Sequence, residues 1–202
     1  MTAVANYTQE ETEKMMVAPM LVSMYVMGAS VSGPIGLVKE MMAGVETAMQ
    51  AGRDAPVDSM LRALFSEENM KAQQDKMQQE TKESTQGAQN MDQAKAKMTA
   101  DLQVAMGIVN AKASAEDAAA YKALMLKVAE KVANAAKEGG FMGIGGVLVN
   151  DAEKQAIAEI TAALDNPAPY VPAPEAPAAE TPAAETAAPA SDAPAPDAPA
   201  AA

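Results

Sequence analysis

The feature that most constrains the fold is a run of 24 residues, 15–38, without a charged side chain. Such a run is stable only where water is excluded, either in the core of a helical domain or in a membrane. Serine, glycine and proline interrupt the run, so its hydropathy is weaker than its length suggests. We therefore predict a buried core helix followed by a Gly/Ser/Pro break, with a membrane-associated segment as the alternative.

Methionines at helical spacing mark one side of this run. They step by 4, 4 and 3 residues, which places them on one face of a helix: Met16, Met20, Met24 and Met27. Thr8 and Glu11 have the spacing of a capping box just before the run. Pro19 is expected to kink or restart the helix, because proline lacks an N–H and crowds the preceding turn. Methionine fills irregular cores but also suits adaptable binding surfaces, so both roles stay open for this stripe.

Helix signals recur along the rest of the chain. Apolar periodicity predicts further helices over 35–50, 57–65, 98–112, 115–137 and 151–164. Pro34 suits the first turn of the second helix, and Gly52 suits its end. Ser114 and Asn150 suit N-cap positions, and Glu153 completes a capping box with Asn150. Only residues 147–149 have a strand-like pattern, so the predicted fold class is all-α, a helical bundle.

A polar segment, 66–100, separates two apolar-rich halves, 1–65 and 101–165. It contains no Val, Ile, Leu, Phe, Tyr or Trp, and its four methionines fall in one heptad column: Met70, Met77, Met91 and Met98. The adjacent column is polar, which does not favour a stable coiled coil. The segment is predicted to be an exposed helix, a helical hairpin or a frayed linker within a bundle of residues 1–165.

The glycine-rich stretch 139–149 is the most distinctive motif. Glycine-rich loops before a helix can bind phosphate through backbone N–H groups. This one lacks the Lys and Ser/Thr of a P-loop, and Asp151 and Glu153 would repel an anion. We interpret it as a tight turn that folds apolar side chains onto the bundle, with a lipid- or ligand-facing loop as the alternative. The side chains concerned include Phe141, Met142 and Ile144.

The C-terminal 37 residues, 166–202, differ sharply in composition from the rest. They hold 10 of the 13 prolines, five acidic residues and no Lys or Arg. A segment of this kind cannot bury enough apolar surface to offset its chain entropy. It is predicted to be a disordered, extended tail that acts as a solubilising segment or as a recognition arm for a partner.

Composition excludes several function classes. The chain has no Cys and no His, which excludes zinc fingers, iron–sulfur clusters, cysteine nucleophiles and histidine-based triads. Its net charge of −12 argues against nucleic acid and against adhesion to anionic lipid. The acidic residues form no convincing catalytic pair. The N-terminal residues lack the basic start of a signal peptide, so a cytoplasmic location is expected.

Two stretches, 18–43 and 128–154, resemble those of small uncharacterised bacterial helical proteins. They read APMLVSMYVMGASVSGPIGLVKEMMA and VAEKVANAAKEGGFMGIGGVLVNDAEK. The resemblance covers both apolar halves but neither the polar segment nor the tail. It implies a helical architecture and no particular activity.

These observations predict a non-catalytic cytoplasmic interaction or scaffold protein, with no cofactor and no bound metal. Its Met-rich helix faces would bind a partner helix or a second copy of the chain. A peripheral membrane or lipid-binding protein and a binder of small apolar ligands are the alternatives. The expected contact residues are Met16, Met20, Met24, Met27, Phe141, Met142 and Ile144.

Overall fold

The computed structural model describes residues 6–29, 34–135 and 150–172. Within these ranges the chain forms helices and no strand, so the predicted all-α fold class is confirmed. The helices are α1 Gln9–Met27, α2 Pro34–Asp54, α3 Met60–Leu64, α4 Glu67–Ala72, α5 Gln74–Thr85, α6 Met91–Lys112, α7 Ala115–Ala135 and α8 Asp151–Asp165.

Both predicted capping boxes are confirmed. At the start of α1, the Glu11 amide donates to Thr8 Oγ1 at 3.2 Å, and the Thr8 amide donates to the Glu11 carboxylate at 2.7 Å. The start of α8 has the same reciprocal pair between Asn150 and Glu153, at 2.9 and 2.8 Å. Each box satisfies backbone N–H groups that have no partner within the helix, which fixes where the helix begins.

Helix α1 does not restart at Pro19, contrary to one of the two outcomes expected there. The helix runs from Gln9 to Met27 with Pro19 inside it. The missing N–H of Pro19 leaves the carbonyl of Met15 without its usual donor. The hydroxyl of Tyr121, a fully buried residue of α7, donates to that carbonyl at 2.8 Å. A tertiary hydrogen bond therefore replaces the one that proline removes.

Three helix limits differ from those predicted. Helix α2 continues past Gly52 to Asp54. Gly52 is required for a different reason, because a Cβ atom there would overlap the backbone carbonyl of Phe65. Helix α3 is shorter than the predicted 57–65, and α6 begins at Met91 rather than at Met98. Apolar periodicity missed the start of α6 because its first turns are polar.

The polar segment is helical and packs on the body. It comprises α4, α5 and the first turns of α6, with α5 lying against both α1 and α6. Met77 and Met98 are buried, whereas most of the polar side chains between them are exposed. Lys76 of α5 also pairs with Glu13 of α1 at 2.7 Å. Of the three forms expected, the packing of α5 on α6 corresponds to the helical hairpin. Met70 and Met77 of its methionine column share a cavity wall with residues of α1.

Helix α1 lies at the centre of the core. It packs against α2, α5, α6, α7 and α8, and its residues from Met15 to Val26 are mostly buried on all sides. The most extensive contact between two helices joins α2 and α7. A helix that is apolar on every side is stable in water only when neighbours surround it, which explains the long uncharged run. No helix of the described ranges is long and apolar enough to cross a membrane.

Polar clamps hold both ends of α1. Near its start, the Glu11 carboxylate accepts hydrogen bonds from Lys112 Nζ and from the Tyr170 hydroxyl, each at 2.6 Å. Near its end, the Tyr25 hydroxyl donates to Glu159 at 2.8 Å. Burial and this carboxylate raise the pKa of Tyr25 to about 12. The clamps therefore fix the position of α1 against α6 and α8.

The helical unit extends to Tyr170, beyond the boundary predicted at residue 165. The residues after α8 lie on α6, where the Ala168 amide donates to the carbonyl of Gln103 at 3.0 Å. The start of the predicted tail is therefore part of the folded body. A second unit begins at Val171, and its residues from 173 onward lie outside the described ranges. The predicted disorder of the tail concerns these residues and stays a prediction.

Candidate functional site

The methionine stripe of α1 lines a single cavity. Met16 is completely buried, whereas the other three methionines of the stripe are partly exposed. All four face an enclosed space of about 140 Å³ between α1, α2 and α5. The structure thus brings together the four α1 residues expected to contact a partner or ligand.

Other helices complete the cavity wall. Helix α2 contributes Met41, Val45 and Ala48, and the end of α3 contributes Phe65. The polar segment contributes Met70 of α4, with Met77 and Thr81 of α5. Seven methionines of the described residues therefore line one cavity whose surface is almost wholly apolar.

The hydroxyls in the cavity wall have partners nearby. Ser23 donates to the carbonyl of Pro19 at 2.8 Å. The hydroxyl of Thr81 lies 2.6 Å from the Met77 carbonyl and 3.1 Å from the sulfur of Met20. Because these hydroxyls have partners within the protein, the cavity offers a ligand apolar carbon and thioether sulfur rather than hydrogen bonds.

A wider cleft of about 360 Å³ adjoins the cavity. Met20, Val45, Met70 and Met77 line both spaces, and Met49 of α2 lines the cleft only. Glu67, Lys71, Gln74 and Gln78 add polar groups to the cleft. We call the cavity and the cleft together the methionine groove, whose methionines are Met16, Met20, Met24, Met27, Met41, Met49, Met70 and Met77.

Close approach of α1 and α2 shapes the groove. A Cβ atom on Gly44 would overlap the hydroxyl of Ser23, so a larger residue there would force Ser23 to move while the two helices lie this near. Gly44 lies between Met41 and Val45 in α2, and both of these residues reach the cavity. The separation of α1 and α2 is therefore set by two small residues.

An exposed apolar patch on α2 continues from the groove. Leu37, Val38, Met41 and Met42 are all exposed, and Met41 also lines the cavity. Their spacing places them on adjoining faces of the first half of α2. Met41 is half exposed, at 50%, so this residue joins the enclosed cavity to the open surface.

One ionisable group of α5 has a shifted pKa. Burial raises the pKa of Glu80 on α5 above its ordinary value, although Lys14 lies 3.9 Å away and acts in the opposite direction. No group of three or more Asp, Glu, His or Cys residues in the described ranges could hold a metal ion.

The helical spacing of methionines in α1 predicted half of the groove's methionines. Met41, Met49, Met70 and Met77 were not among the expected contact residues. The heptad column in the polar segment already signalled Met70 and Met77, but nothing in the sequence showed that these two residues share a cavity wall with α1. Phe141, Met142 and Ile144 lie outside the described residues, as does the glycine-rich stretch.

No protein-family model, curated protein sequence or solved structure matches the chain significantly.

Proposed function

We propose that this is a non-catalytic binding protein whose methionine groove takes the apolar face of a partner's amphipathic helix. The observation that carries the proposal is a groove lined by eight methionines that continues into an exposed apolar patch. Unbranched, polarizable side chains adapt to partner side chains of different shape. The expected lack of catalysis and the cytoplasmic location stay predictions.

The shape of the groove favours a helix over a compact ligand. The enclosed part holds about 140 Å³, close to the roughly 150 Å³ cavity that accepts a benzene-sized molecule. The apolar surface beyond it follows α2 from Leu37 to Met49, which is about 18 Å of helix axis. A partner helix presents anchors every three or four residues, so one anchor can fill the cavity while others cover the patch.

Charge favours a basic partner over a second copy of this chain. The net charge is −12, so two copies would repel each other at neutral pH. A helix with lysine or arginine around its apolar stripe would instead be attracted and guided to the surface. This consideration selects the partner-helix hypothesis over self-association.

Two synthetic labelled peptides test the proposal. Both carry leucine at the same helical positions, and the remaining positions are lysine in one and glutamate in the other. We expect the full-length protein to bind the lysine peptide and not the glutamate peptide, measured by fluorescence anisotropy. Binding of neither peptide would contradict the proposal.

A matched pair of variants locates the binding surface. Met41→Glu places a charge at the junction of cavity and patch, and Val57→Glu places the same charge on a side chain that is 78% exposed and does not line the groove. We expect Met41→Glu to weaken binding of the lysine peptide about tenfold and Val57→Glu to leave it unchanged. The added negative charge by itself should strengthen binding of a basic peptide. Weaker binding by Met41→Glu would therefore reflect a lost apolar contact between Met41 and the peptide. Equal effects at both positions would place binding elsewhere.

A small apolar ligand is the second candidate, and the enclosed cavity favours it. A ligand that fills the cavity would stabilise the folded chain in proportion to the logarithm of its concentration. Thermal unfolding with benzene-sized and longer hydrophobic compounds tests this candidate. A rise in Tm without peptide binding would favour the ligand over the partner helix.

A further inference from the structure

Three methionines lie at the boundary between the enclosed cavity and the cleft. Met20 comes from α1, Met70 from α4 and Met77 from α5, and all three line both spaces. Side chains from three separate helices therefore border the opening between the two spaces. A ligand at that opening would be accessible from the cleft and would contact the cavity wall.

The chemistry of this position is that of thioether sulfur. Thioethers are soft, uncharged donors, and among biological cations they favour copper(I) over magnesium or calcium. The chain has no Cys and no His, so neither thiolate nor imidazole competes for such an ion. A soft cation bound inside this protein would have methionine as its soft ligand.

The structure also places a hydroxyl beside one of these donors. The Thr81 hydroxyl lies 3.1 Å from the sulfur of Met20 and 2.6 Å from the Met77 carbonyl. Its single proton goes to one of these two acceptors, so the Met20 sulfur keeps at least one lone pair for a ligand. Hydrogen-bonding neighbours of a ligand atom commonly support metal sites.

The charge of the protein favours the approach of a cation. The cleft wall itself has one acidic and one basic residue, Glu67 and Lys71, beside the side-chain amides of Gln74 and Gln78. The net charge of −12 raises the local concentration of cations around the whole molecule. A hydrated ion can therefore reach the junction and exchange water for sulfur there.

We propose that Met20, Met70 and Met77 form a three-thioether site for a soft monovalent metal ion, copper(I) or its analogue silver(I). The site uses the sulfur atoms of the groove, whereas helix binding uses its apolar area. The inference therefore does not rest on the proposed function.

Silver nitrate in a chloride-free buffer is the first probe, used with the full-length chain. Native mass spectrometry and isothermal titration calorimetry should show one tightly bound silver ion per chain. Copper(I), added without oxygen in competition with a chromogenic chelator, should occupy the same site. X-ray absorption of the silver complex should show sulfur as the neighbouring atom, and only oxygen or nitrogen neighbours would overturn the proposal.

Two triple variants make the test specific. Met20→Leu, Met70→Leu and Met77→Leu together remove the three sulfur atoms but keep apolar side chains of similar size. The control replaces the same number of methionines in the core, at Met15, Met98 and Met125, which are all buried outside the groove. Circular dichroism establishes that both variants remain helical.

We expect the groove variant to lose the tight silver ion and the core variant to keep it. Each single leucine substitution in the groove should weaken binding by at least about tenfold. Retention of the tight ion by the groove variant would overturn the proposal. Binding of several weak ions that is lost when the exposed Met41, Met42 and Met91 are replaced would overturn it as well. The groove variant should still bind the lysine peptide, so failure of this site and failure of the proposed function are distinguishable.

Discussion

Proline at position 19 leaves the Met15 carbonyl without a helical donor, and the Tyr121 hydroxyl supplies one. Complete burial of Tyr121 raises the pKa of its hydroxyl, so the group stays protonated and continues to donate. A buried carbonyl without a donor costs on the order of 1–3 kcal/mol. One tyrosine on α7 therefore makes a proline tolerable in the central helix.

A double-mutant cycle tests this link. We expect Tyr121→Phe to lower the free energy of unfolding by about 1–3 kcal/mol, because the carbonyl loses its donor. In a Pro19→Ala background the backbone N–H of residue 19 can bond the same carbonyl, so the cost of Tyr121→Phe should be smaller. Urea unfolding measures both differences. Equal costs in the two backgrounds would show that the hydroxyl does not compensate for the proline.

Glu11 links three parts of the fold, α1, α6 and the segment after α8. Burial of its carboxylate would raise its pKa, but hydrogen bonds from Lys112, Tyr170 and the Thr8 backbone together hold the pKa below the ordinary 4.5. The ammonium of Lys112 also lies 5.3 Å from the centre of the Tyr170 ring. The clamp therefore depends on the ionised form of one carboxylate.

The pH dependence of stability follows from the sign of this shift. A lowered pKa in the folded state adds stability above pH 4.5, and this contribution is lost as the pH falls through the folded value. We expect Glu11→Gln to lower the free energy of unfolding at pH 7. The difference in this free energy between the variant and the parent protein should shrink as the medium is acidified below 4.5. Chemical unfolding between pH 3 and pH 7, values chosen roughly to bracket that pKa, measures the difference.

Glu10→Gln provides the matched control for this prediction. Glu10 is exposed on the same turn of α1, where an ion pair with Lys14 contributes little because water surrounds it. A constant difference between Glu11→Gln and the parent at every pH would contradict the assigned role of the carboxylate.

Local signals predicted the elements better than their arrangement. The capping boxes at Thr8 and Asn150 are local in sequence, so spacing alone located the starts of α1 and α8. The continuity of α1 through Pro19 depends on Tyr121, which lies far along the chain and makes no local pattern. Four groove methionines were missed for the same reason, since a cavity between helices depends on which faces meet.

At the level of the whole molecule, charge is expected to control how fast a partner arrives. Replacing the five acidic residues of the C-terminal segment by their amides changes the net charge from −12 to −12 + 5 = −7. The substitutions are Glu175→Gln, Glu180→Gln, Glu185→Gln, Asp192→Asn and Asp197→Asn. We expect the association rate of the lysine peptide at low salt to fall by a factor on the order of ten, with little change in dissociation.

Stopped-flow mixing at low and high salt measures this effect. The difference between the two proteins should vanish at high salt, because ions screen charges beyond about a Debye length. A change in the dissociation rate instead would indicate that the segment itself touches the peptide.

The wall of the methionine groove has a thermodynamic consequence. Each methionine has three rotatable bonds, and fixing such a side chain against a ligand costs roughly 1.5–2 kcal/mol of conformational entropy. Eight such side chains line the groove, so its shape is expected to adapt to an occupant rather than to fit one occupant in advance. The affinity would then differ gradually among occupants rather than being present for one and absent for the others. A partner could change its apolar residues over evolution without losing the interaction.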